Sequence, residues 1–126
     1  MKIIESPALP RANGHYSQAI SHNGVLYISG QLPIDPATKQ PPKGIKQQSQ
    51  LVLSKLKTVV EAGGSQLDQV IQVRIYVSDI SLWDAVNHVY TEFFGDHKPV
   101  RAIVPTRELH FGCLIEVEAL ATVNDN

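Results

Sequence analysis

Apolar residues form short runs near both ends of the chain and follow a helical spacing in two central segments. Residues 16–21 and 25–29 are apolar-rich runs separated by His22, Asn23 and Gly24. An Asn-Gly pair between two such runs is a strong hairpin signal, because both residues of a tight turn can then adopt positive φ. Residues 34–44 contain three prolines and a glycine, which predicts a loop.

Two amphipathic helices are predicted in the middle of the chain. The first apolar stripe consists of Ile45, Ser49, Val52, Leu56, Val59 and Val60, with Gln47, Gln48, Lys55 and Lys57 largely outside it. This helix is expected to end at Gly63-Gly64 through a left-handed cap. The second stripe consists of Leu82, Val86, Val89, Tyr90 and Phe93, and Gly95 follows it. Ser81, with Asp84 three positions later, resembles a capping box at the start of this helix.

Residues 70–77 alternate strictly and predict a half-buried strand. One face carries Val73, Ile75 and Val77, and the other carries Gln72, Arg74 and Tyr76. Further strands are predicted around residues 100–104 and 114–122, and a short first strand at residues 2–5. Apart from that short strand the order is β-β-α-β-α-β-β, which favours an α+β fold with two helices on one face of a mixed sheet.

The composition fits a single domain over residues 1–126 and excludes several classes of protein. Charged residues make up 18% of the chain and the formal net charge is −1, with Lys and Arg scattered. We therefore expect neither a nucleic-acid partner nor a membrane partner. Cys113 is the single cysteine, and no apolar run approaches the ~20 residues of a membrane helix. A reducing compartment, the cytoplasm, is the expected location.

The candidate chemistry centres on Arg101 and on two late glutamates. Arg101 lies among residues that predict a buried strand, where an arginine needs a partner. That partner could be one of the chain's own acids or the carboxylate of a ligand, which a guanidinium matches in a bidentate manner. Glu116 and Glu118 share one face of a strand. They could form a solvated surface, or one of them could be a partly desolvated general base.

Other chemistries lack support in the sequence. The five histidines show no metal-binding spacing, so we predict no metal site. No nucleophile elbow and no phosphate-binding glycine loop is present. Tyr16, Ser29 and Asn87 each have an ordinary structural interpretation, respectively a core-edge aromatic, a turn residue and a helix hydrogen-bonding group.

Four segments taken together resemble the Rid (YjgF-like) family of imine deaminases over nearly the whole chain. They are Gly-His-Tyr-Ser-Gln-Ala at 14–19, Ser-Gly-Gln at 29–31, Lys-Pro-Val-Arg at 98–101 and Ile-Glu-Val-Glu at 115–118. The resemblance implies a chorismate-mutase-like fold, a homotrimer with sites between subunits, and no cofactor. It also implies hydrolysis of 2-imino acids such as 2-iminobutanoate and 2-iminopropanoate to 2-oxo acids and ammonia.

The resemblance also implies a set of site residues. They are Tyr16, Ser29, Asn87, Arg101, Ile103 and Glu116. Arg101 would hold the substrate carboxylate, Glu116 would activate water, and Tyr16 would line the pocket and hydrogen-bond the substrate. Ser29, with backbone groups near Ile103, would orient the imino nitrogen, and Asn87 would support the site.

The chain departs from the family pattern at two positions, and two other functions remain open. Ile103 stands where a cysteine is frequent, and Glu108, beside Arg107, stands where a second arginine is usual. One alternative is a module that senses 2-oxo or amino acids and docks a protein. A ribonuclease or translation inhibitor is the other. Glu116 favours the deaminase, and the absence of a basic stripe disfavours RNA binding.

Overall fold

The computed structural model describes residues 1–124 and contains one mixed sheet covered by two helices. Within these residues the strands are β1 Lys2–Ile3, β2 Ala19–His22, β3 Val25–Gln31, β4 Val70–Val77, β5 Val100–Pro105 and β6 Ile115–Thr122. The helices are α1 Ile45–Ala62 and α2 Trp83–Phe94. The predicted α+β fold is confirmed. The domain expected over residues 1–126 includes Asp125 and Asn126, which lie outside the described residues.

The strands lie in the order β1-β2-β3-β6-β4-β5, so β5 forms one edge of the sheet. The pair β4 and β5 is parallel, and the other neighbouring strands are antiparallel. Loop 34–44 contains no helix or strand, as predicted. No helix within residues 1–124 has the length and apolar character needed to cross a bilayer.

The core lies between the helices and one face of the sheet. Strictly alternating residues of β4 and β6 supply the sheet side, and the predicted apolar stripes of α1 and α2 supply the other side. In β4 and β6 the alternating buried residues are Val73, Ile75, Val77, Ile115, Val117, Ala119 and Ala121. Val70, together with Ala19, Leu26, Ile28 and Gln31 of β2 and β3, is buried as well. The opposite face of the sheet has no helix against it in the described chain, and we call it the open face.

The predicted hairpin is confirmed, but its first strand is shorter than expected. His22 pairs with Val25, and the turn residues Asn23 and Gly24 have φ values of 51° and 78°. The strand predicted from residue 16 begins only at Ala19, so Tyr16 lies in the preceding loop. The amide of Tyr16 donates to the carbonyl of Gly14 in a local turn, which removes it from the strand ladder.

The predicted start of α2 is wrong. Ser81 lies inside a 3-10 turn, Ile80–Leu82, and the carboxylate of Asp79 accepts the amide of Ser81 at 2.8 Å. Asp79 therefore caps this turn, and α2 begins after it at Trp83. At the other end Phe94 is buried, whereas the predicted Phe93 is only partly buried against the core.

Gln48 is also buried, although the pattern had placed it outside the apolar stripe of α1. Its amide nitrogen donates to the carbonyl of Pro42 at 2.9 Å, and its amide oxygen accepts the backbone N–H of Leu114 at 2.8 Å. Two hydrogen bonds compensate the burial of this polar side chain. They tie the loop before α1 to the segment that leads into β6.

Candidate functional site

Arg101 is held against α2 by three side chains of that helix. One guanidinium nitrogen, Nη1, donates to Oδ1 of Asn87 at 2.8 Å. The guanidinium carbon lies 4.8 Å from the ring centroid of Tyr90 and 5.6 Å from that of Trp83. Positions 83, 87 and 90 recur at helical spacing, so one face of α2 presents all three groups. Both cation–π contacts favour the charged guanidinium in this position.

No described carboxylate pairs with Arg101. Among residues 1–124 the carboxylates in contact with a basic side chain are Glu118, which pairs with Arg74, and Glu92, which lies beside the imidazole of His88. The structural alternative, a strand-edge pair with one of the chain's own acids, is therefore not found in the described part of the chain. A guanidinium has five N–H donors in a fixed fork, and the hydrogen bond to Asn87 uses one of them. The remaining N–H groups can donate hydrogen bonds to a carboxylate from outside the chain.

Tyr90 acts as a buried platform beneath the guanidinium. Its side chain is buried, and its hydroxyl has no hydrogen-bond partner among the described residues. Burial raises the pKa of Tyr90 to about 12, although the nearby Arg101 lowers it, so the phenol is neutral at physiological pH. The sequence pattern had assigned Tyr90 to the core and had not singled out Trp83. Their spacing with Asn87 on one helix was the available signal.

Glu116 and Glu118 lie on the open face, as their alternation in β6 predicted, but their surroundings differ. In the register of β4 and β6, Glu116 is opposite Tyr76 and Glu118 is opposite Arg74. The hydroxyl of Tyr76 donates to Oε1 of Glu118 at 2.5 Å, and Nη1 of Arg74 lies 3.6 Å from the same oxygen. The Glu118 carboxylate is thus bound within the chain. The Glu116 carboxylate makes no such bond with a described residue.

The environment of Glu116 suits a general base. Burial raises the pKa of its carboxyl, and the negative charge of Glu118 raises it further, while His110 opposes both effects. A carboxylate with a raised pKa is a stronger base than an ordinary surface glutamate. Its position on β6 also brings it beside Gly30 of β3.

Ser29 joins β3 to the segment that contains Tyr16. Its hydroxyl donates to the carbonyl of Ser17 at 2.5 Å, and its amide donates to the carbonyl of Gln18 at 3.0 Å. Tyr16 directly precedes Ser17, and its side chain is half exposed. Ser17 and Ser29 line a cavity of about 330 Å³ on the open face, together with Arg74.

The predicted site residues therefore form two groups on opposite faces of the sheet. Arg101 and Ile103 stand beside Val73 and Ile75 in the parallel pair, so their side chains share the helix-covered face. Glu116 faces the other way from β6. Glu116 on β6 is separated from Arg101 on β5 by two strand spacings, or roughly 10 Å, because β4 lies between them. The thickness of the sheet adds to this distance. One chain does not bring all the predicted residues into a single pocket.

The metal-binding and nucleophilic side chains of residues 1–124 form no second candidate centre. No cluster of three or more His, Cys, Asp or Glu side chains among residues 1–124 could hold a metal ion. Cys113 is 1% exposed, and burial together with the charge of Glu116 raises the pKa of its thiol. Burial lowers the pKa of Lys55, whose ammonium donates to the carbonyl of Leu32 at 2.8 Å.

The sequence profile of the family described as Endoribonuclease L-PSP matches residues 6–123. The chain belongs to this family. A RutC family protein of Pyrococcus horikoshii is 42% identical over 121 residues, which cover 95% of this chain and 96% of that protein. The match therefore spans both proteins almost from end to end.

Two further comparisons connect this L-PSP family chain with TdcF of Escherichia coli. TdcF, whose name describes a reactive intermediate deaminase, is 32% identical over 123 residues and 95% of each chain. The crystal structure of TdcF with bound serine superposes with a TM-score of 0.91 at 31% identity, covering 98% of this chain and 100% of that one. The resemblance inferred from the four short segments is confirmed at the level of the family and the fold.

Proposed function

We propose that this chain hydrolyses 2-imino acids to 2-oxo acids and ammonia, at sites shared between two chains of a homotrimer. The proposal rests on one observation, which is that the guanidinium of Arg101 is held in place but has no acidic partner in the described part of the chain. Asn87 and the ring of Tyr90 orient it, and no described carboxylate neutralises it. Such a preformed cation suits a small ligand that carries a carboxylate.

The chemistry needs few groups. Arg101 binds the substrate carboxylate and so fixes the neighbouring C=N carbon, which reduces the entropic cost of bringing water to it. Glu116 removes a proton from that water, and the resulting hydroxide adds to the carbon. Glu116 then returns that proton to the nitrogen of the tetrahedral carbinolamine. The C–N bond breaks and ammonia leaves, while the hydroxyl group loses its own proton and becomes the carbonyl of the 2-oxo acid. These steps require neither a metal nor an organic cofactor.

Ser29 and Tyr16 are proposed to contact the polar atoms of the substrate. The hydroxyl hydrogen of Ser29 is donated to Ser17 within the chain, so its oxygen is left as an acceptor. An acceptor suits the N–H of a protonated imine. In the proposed assembly, backbone groups near Ile103 complete the position of the imino nitrogen.

Arg101 and Glu116 lie on opposite faces of the sheet, and this placement supports a site between subunits. In a 2-imino acid the carboxylate and the C=N carbon are directly bonded, so Arg101 and Glu116 must approach the same few atoms. Within one chain they face opposite sides of the sheet. A cyclic oligomer can bring the Arg101 side of one chain to the Glu116 side of the next. The exposed apolar side chains of Tyr27, Val100 and Val104 also favour burial against a partner.

The direct test is an ammonia-release assay on imines generated in situ. A serine/threonine dehydratase supplies the small imines, and an L-amino-acid oxidase supplies larger ones. We expect the chain to accelerate formation of ammonia and 2-oxo acid above the spontaneous rate, without added metal. Equal rates with and without the protein for every imine tested would contradict the proposal.

A mixing experiment tests the shared site. Chains carrying Arg101→Ala are unfolded and refolded with chains carrying Glu116→Gln. Random assembly should give both intact residues to about one quarter of the sites, because each site draws one residue from each of two chains. A mixture of Tyr16→Ala and Glu116→Gln chains is the control, because we propose that Tyr16, Ser29 and Glu116 of one chain contribute to the same site. Such a mixture should restore no activity. Full activity in a monomer would contradict the shared site but not the chemistry.

A second function, amino-acid binding without turnover, has one observation in its favour. The crystal structure of the relative TdcF contains bound serine. A pure binding site for a carboxylate ligand would also use Arg101. For a 2-oxo acid it would gain nothing from a nearby carboxylate, so Glu116→Gln should then leave or strengthen 2-oxo acid binding. The ammonium of serine would pair with the Glu116 carboxylate, so the same substitution should weaken serine binding. Ligand-induced stabilisation by serine or a 2-oxo acid, with no ammonia release from any imine, would favour this second function.

A cytoplasmic location is part of the proposal. We propose it because Cys113 is the single cysteine and forms no disulfide, as is common for proteins of a reducing compartment. The fold does not bear on the location.

A further inference from the structure

Gly30 lies at an irregular point in the pairing of β3 with β6. Ile28 pairs with Ala119 and Gln31 pairs with Val117, so Ser29 and Gly30 together stand opposite Glu118. Two residues opposite one define a β-bulge, a device that often reorients side chains next to functional sites. The bulge sits where β3 passes the carboxylate of Glu116.

The Glu116 carboxylate occupies the space that a side chain at position 30 would need. A Cβ added to Gly30 would overlap Oε2 of Glu116 and would lie 3.2 Å from its Cδ. Gly30 is not among the residues with positive φ, so its backbone conformation is open to alanine. A side chain at position 30 would therefore displace the Glu116 carboxylate, while the backbone conformation itself does not demand glycine.

The surroundings of Glu116 offer no other fixed partner among the described residues. Tyr76 faces it from β4, Glu118 lies two residues along β6, and His110 lies in the turn before β6. The Tyr76 hydroxyl is already bonded to Glu118. The space left by the absent Cβ of Gly30, which the Glu116 carboxylate occupies, is therefore the observed feature that fixes its position.

We propose that Gly30 is a positioning residue that sets where the carboxylate of Glu116 lies, an inference that rests on the proposed role of Glu116 as the base. A base must lie within hydrogen-bond reach of the attacking water. A displacement of about 1 Å can cost roughly 10²-fold in rate. A side chain at position 30 would produce a displacement of that order.

Gly30→Ala tests this directly, with a rescue variant that removes the overlap. We expect Gly30→Ala to lower kcat by roughly 10²-fold, with little change in KM because binding depends on Arg101. Adding Glu116→Asp shortens the side chain by one methylene and should raise kcat again by about 10-fold, whereas Glu116→Asp alone lowers it. Gly30→Ala with Glu118→Asp is the matched control and should show no recovery.

A second measurement is independent of deaminase activity. The titration of the Glu116 carboxyl is followed by NMR on protein with ¹³C-labelled glutamate. In Gly30→Ala the carboxylate should move towards solvent, and its pKa should fall towards the ordinary value. Glu118, His110, Tyr76 and Cys113 are the titratable groups that act on or respond to Glu116, so their protonation is monitored in the same series.

The outcomes separate the two proposals. If the wild-type chain releases no ammonia but Gly30→Ala shifts the Glu116 titration, the deaminase proposal fails and the positioning role stands. An unchanged titration, or effects of Gly30→Ala and Glu116→Asp that simply add, would overturn the positioning role. Failure of both Gly30→Ala and its Glu116→Asp combination to fold would also overturn it, because removal of the overlap would then have no effect.

Discussion

Replacing Glu116 by glutamine, with Glu118→Gln as the matched control, gives two readouts with opposite expected signs. Both substitutions remove one negative charge from the same face of β6, two residues apart. Glutamine keeps the size of the side chain and one carbonyl oxygen. A difference in turnover or Tm between the two variants is therefore due to the different surroundings of the two carboxylates, because both lie on the same face of β6.

The kinetic readout follows from the role of a general base. Such a group contributes roughly 10²- to 10⁴-fold, or about 3–5 kcal/mol of transition-state stabilisation. We expect Glu116→Gln to lower kcat by that factor, with the spontaneous hydrolysis of the imine as a lower limit on the measured rate. Binding of a 2-oxo acid should change little, because it depends on Arg101. Glu118→Gln should keep most of the turnover.

The stability readout follows from the raised pKa of Glu116. A carboxyl whose pKa is higher in the folded state binds its proton more tightly there, so its contribution to stability is present at low pH. That contribution is lost as the pH rises through the folded-state pKa. Glutamine does not ionise. The Tm of Glu116→Gln should therefore equal that of the wild type below about pH 4 and exceed it once the pH has passed the folded-state pKa of Glu116.

Glu118→Gln should have the opposite effect on stability. It weakens a charge-assisted hydrogen bond from Tyr76 and removes the ion pair with Arg74. The side chain of Glu118 is 32% exposed, so solvent screening reduces both contributions. We expect a loss of about 1 kcal/mol, or about 4 °C in Tm, near neutral pH.

The measurements are ammonia release and differential scanning calorimetry between pH 4 and pH 8, at equal chain concentration since an oligomer's Tm depends on it. Equal losses of turnover in the two variants would refute the assignment of Glu116 as the base. A lower Tm for Glu116→Gln than for the wild type at pH 7 would refute the argument from its burial.

Four further predictions follow from the same contacts. Arg101→Ala should reduce imine hydrolysis to the spontaneous rate, with the fold intact by circular dichroism. Arg101→Lys should lose most activity, because an ammonium cannot reproduce the forked geometry of the guanidinium. Near-normal turnover in Arg101→Ala would contradict the assignment of Arg101 as the carboxylate-binding residue. Tyr90→Phe should keep activity and raise stability by up to about 1 kcal/mol in urea unfolding, because it removes a buried unpaired hydroxyl; a marked loss of activity would show that the hydroxyl has a partner in the working assembly. Iodoacetamide should leave turnover unchanged because Cys113 is 1% exposed with a raised thiol pKa, and inactivation that tracks its labelling would contradict this. Gly63→Ala should cost about 1–3 kcal/mol without changing kcat, because its Cβ would lie 2.5 Å from Cδ2 of the fully buried Leu26; a neutral effect on Tm would show that the core there can adjust.

Much of the fold could be predicted because its signals are local. The alternation in β4 and β6, the stripes of α1 and α2 and the Asn23-Gly24 turn all depend on residues close in sequence. The same alternation placed Glu116 and Glu118 on one face. The errors at Ser81 and Gln48 arose from hydrogen bonds that an apolar pattern does not record. Asp79 caps the turn that contains Ser81, and Gln48 is buried because its amide group bonds to Pro42 and Leu114.

The arrangement of the candidate site could not be predicted from the pattern. In residues 100–104 apolar side chains occur on both faces, so alternation could not say which face Arg101 shares with the helices. The face of Arg101 is set by the register in which β5 pairs with β4, since Arg101 stands beside the buried Val73. These two strands are connected through α2. The bulge that brings Gly30 against Glu116 likewise depends on strands more than 80 residues apart in sequence. By itself the sequence determined the elements and the residue types that can carry the chemistry. Only the tertiary structure decided that Arg101 and Glu116 face opposite sides of one sheet, because the face of a strand is defined by the partners it packs against.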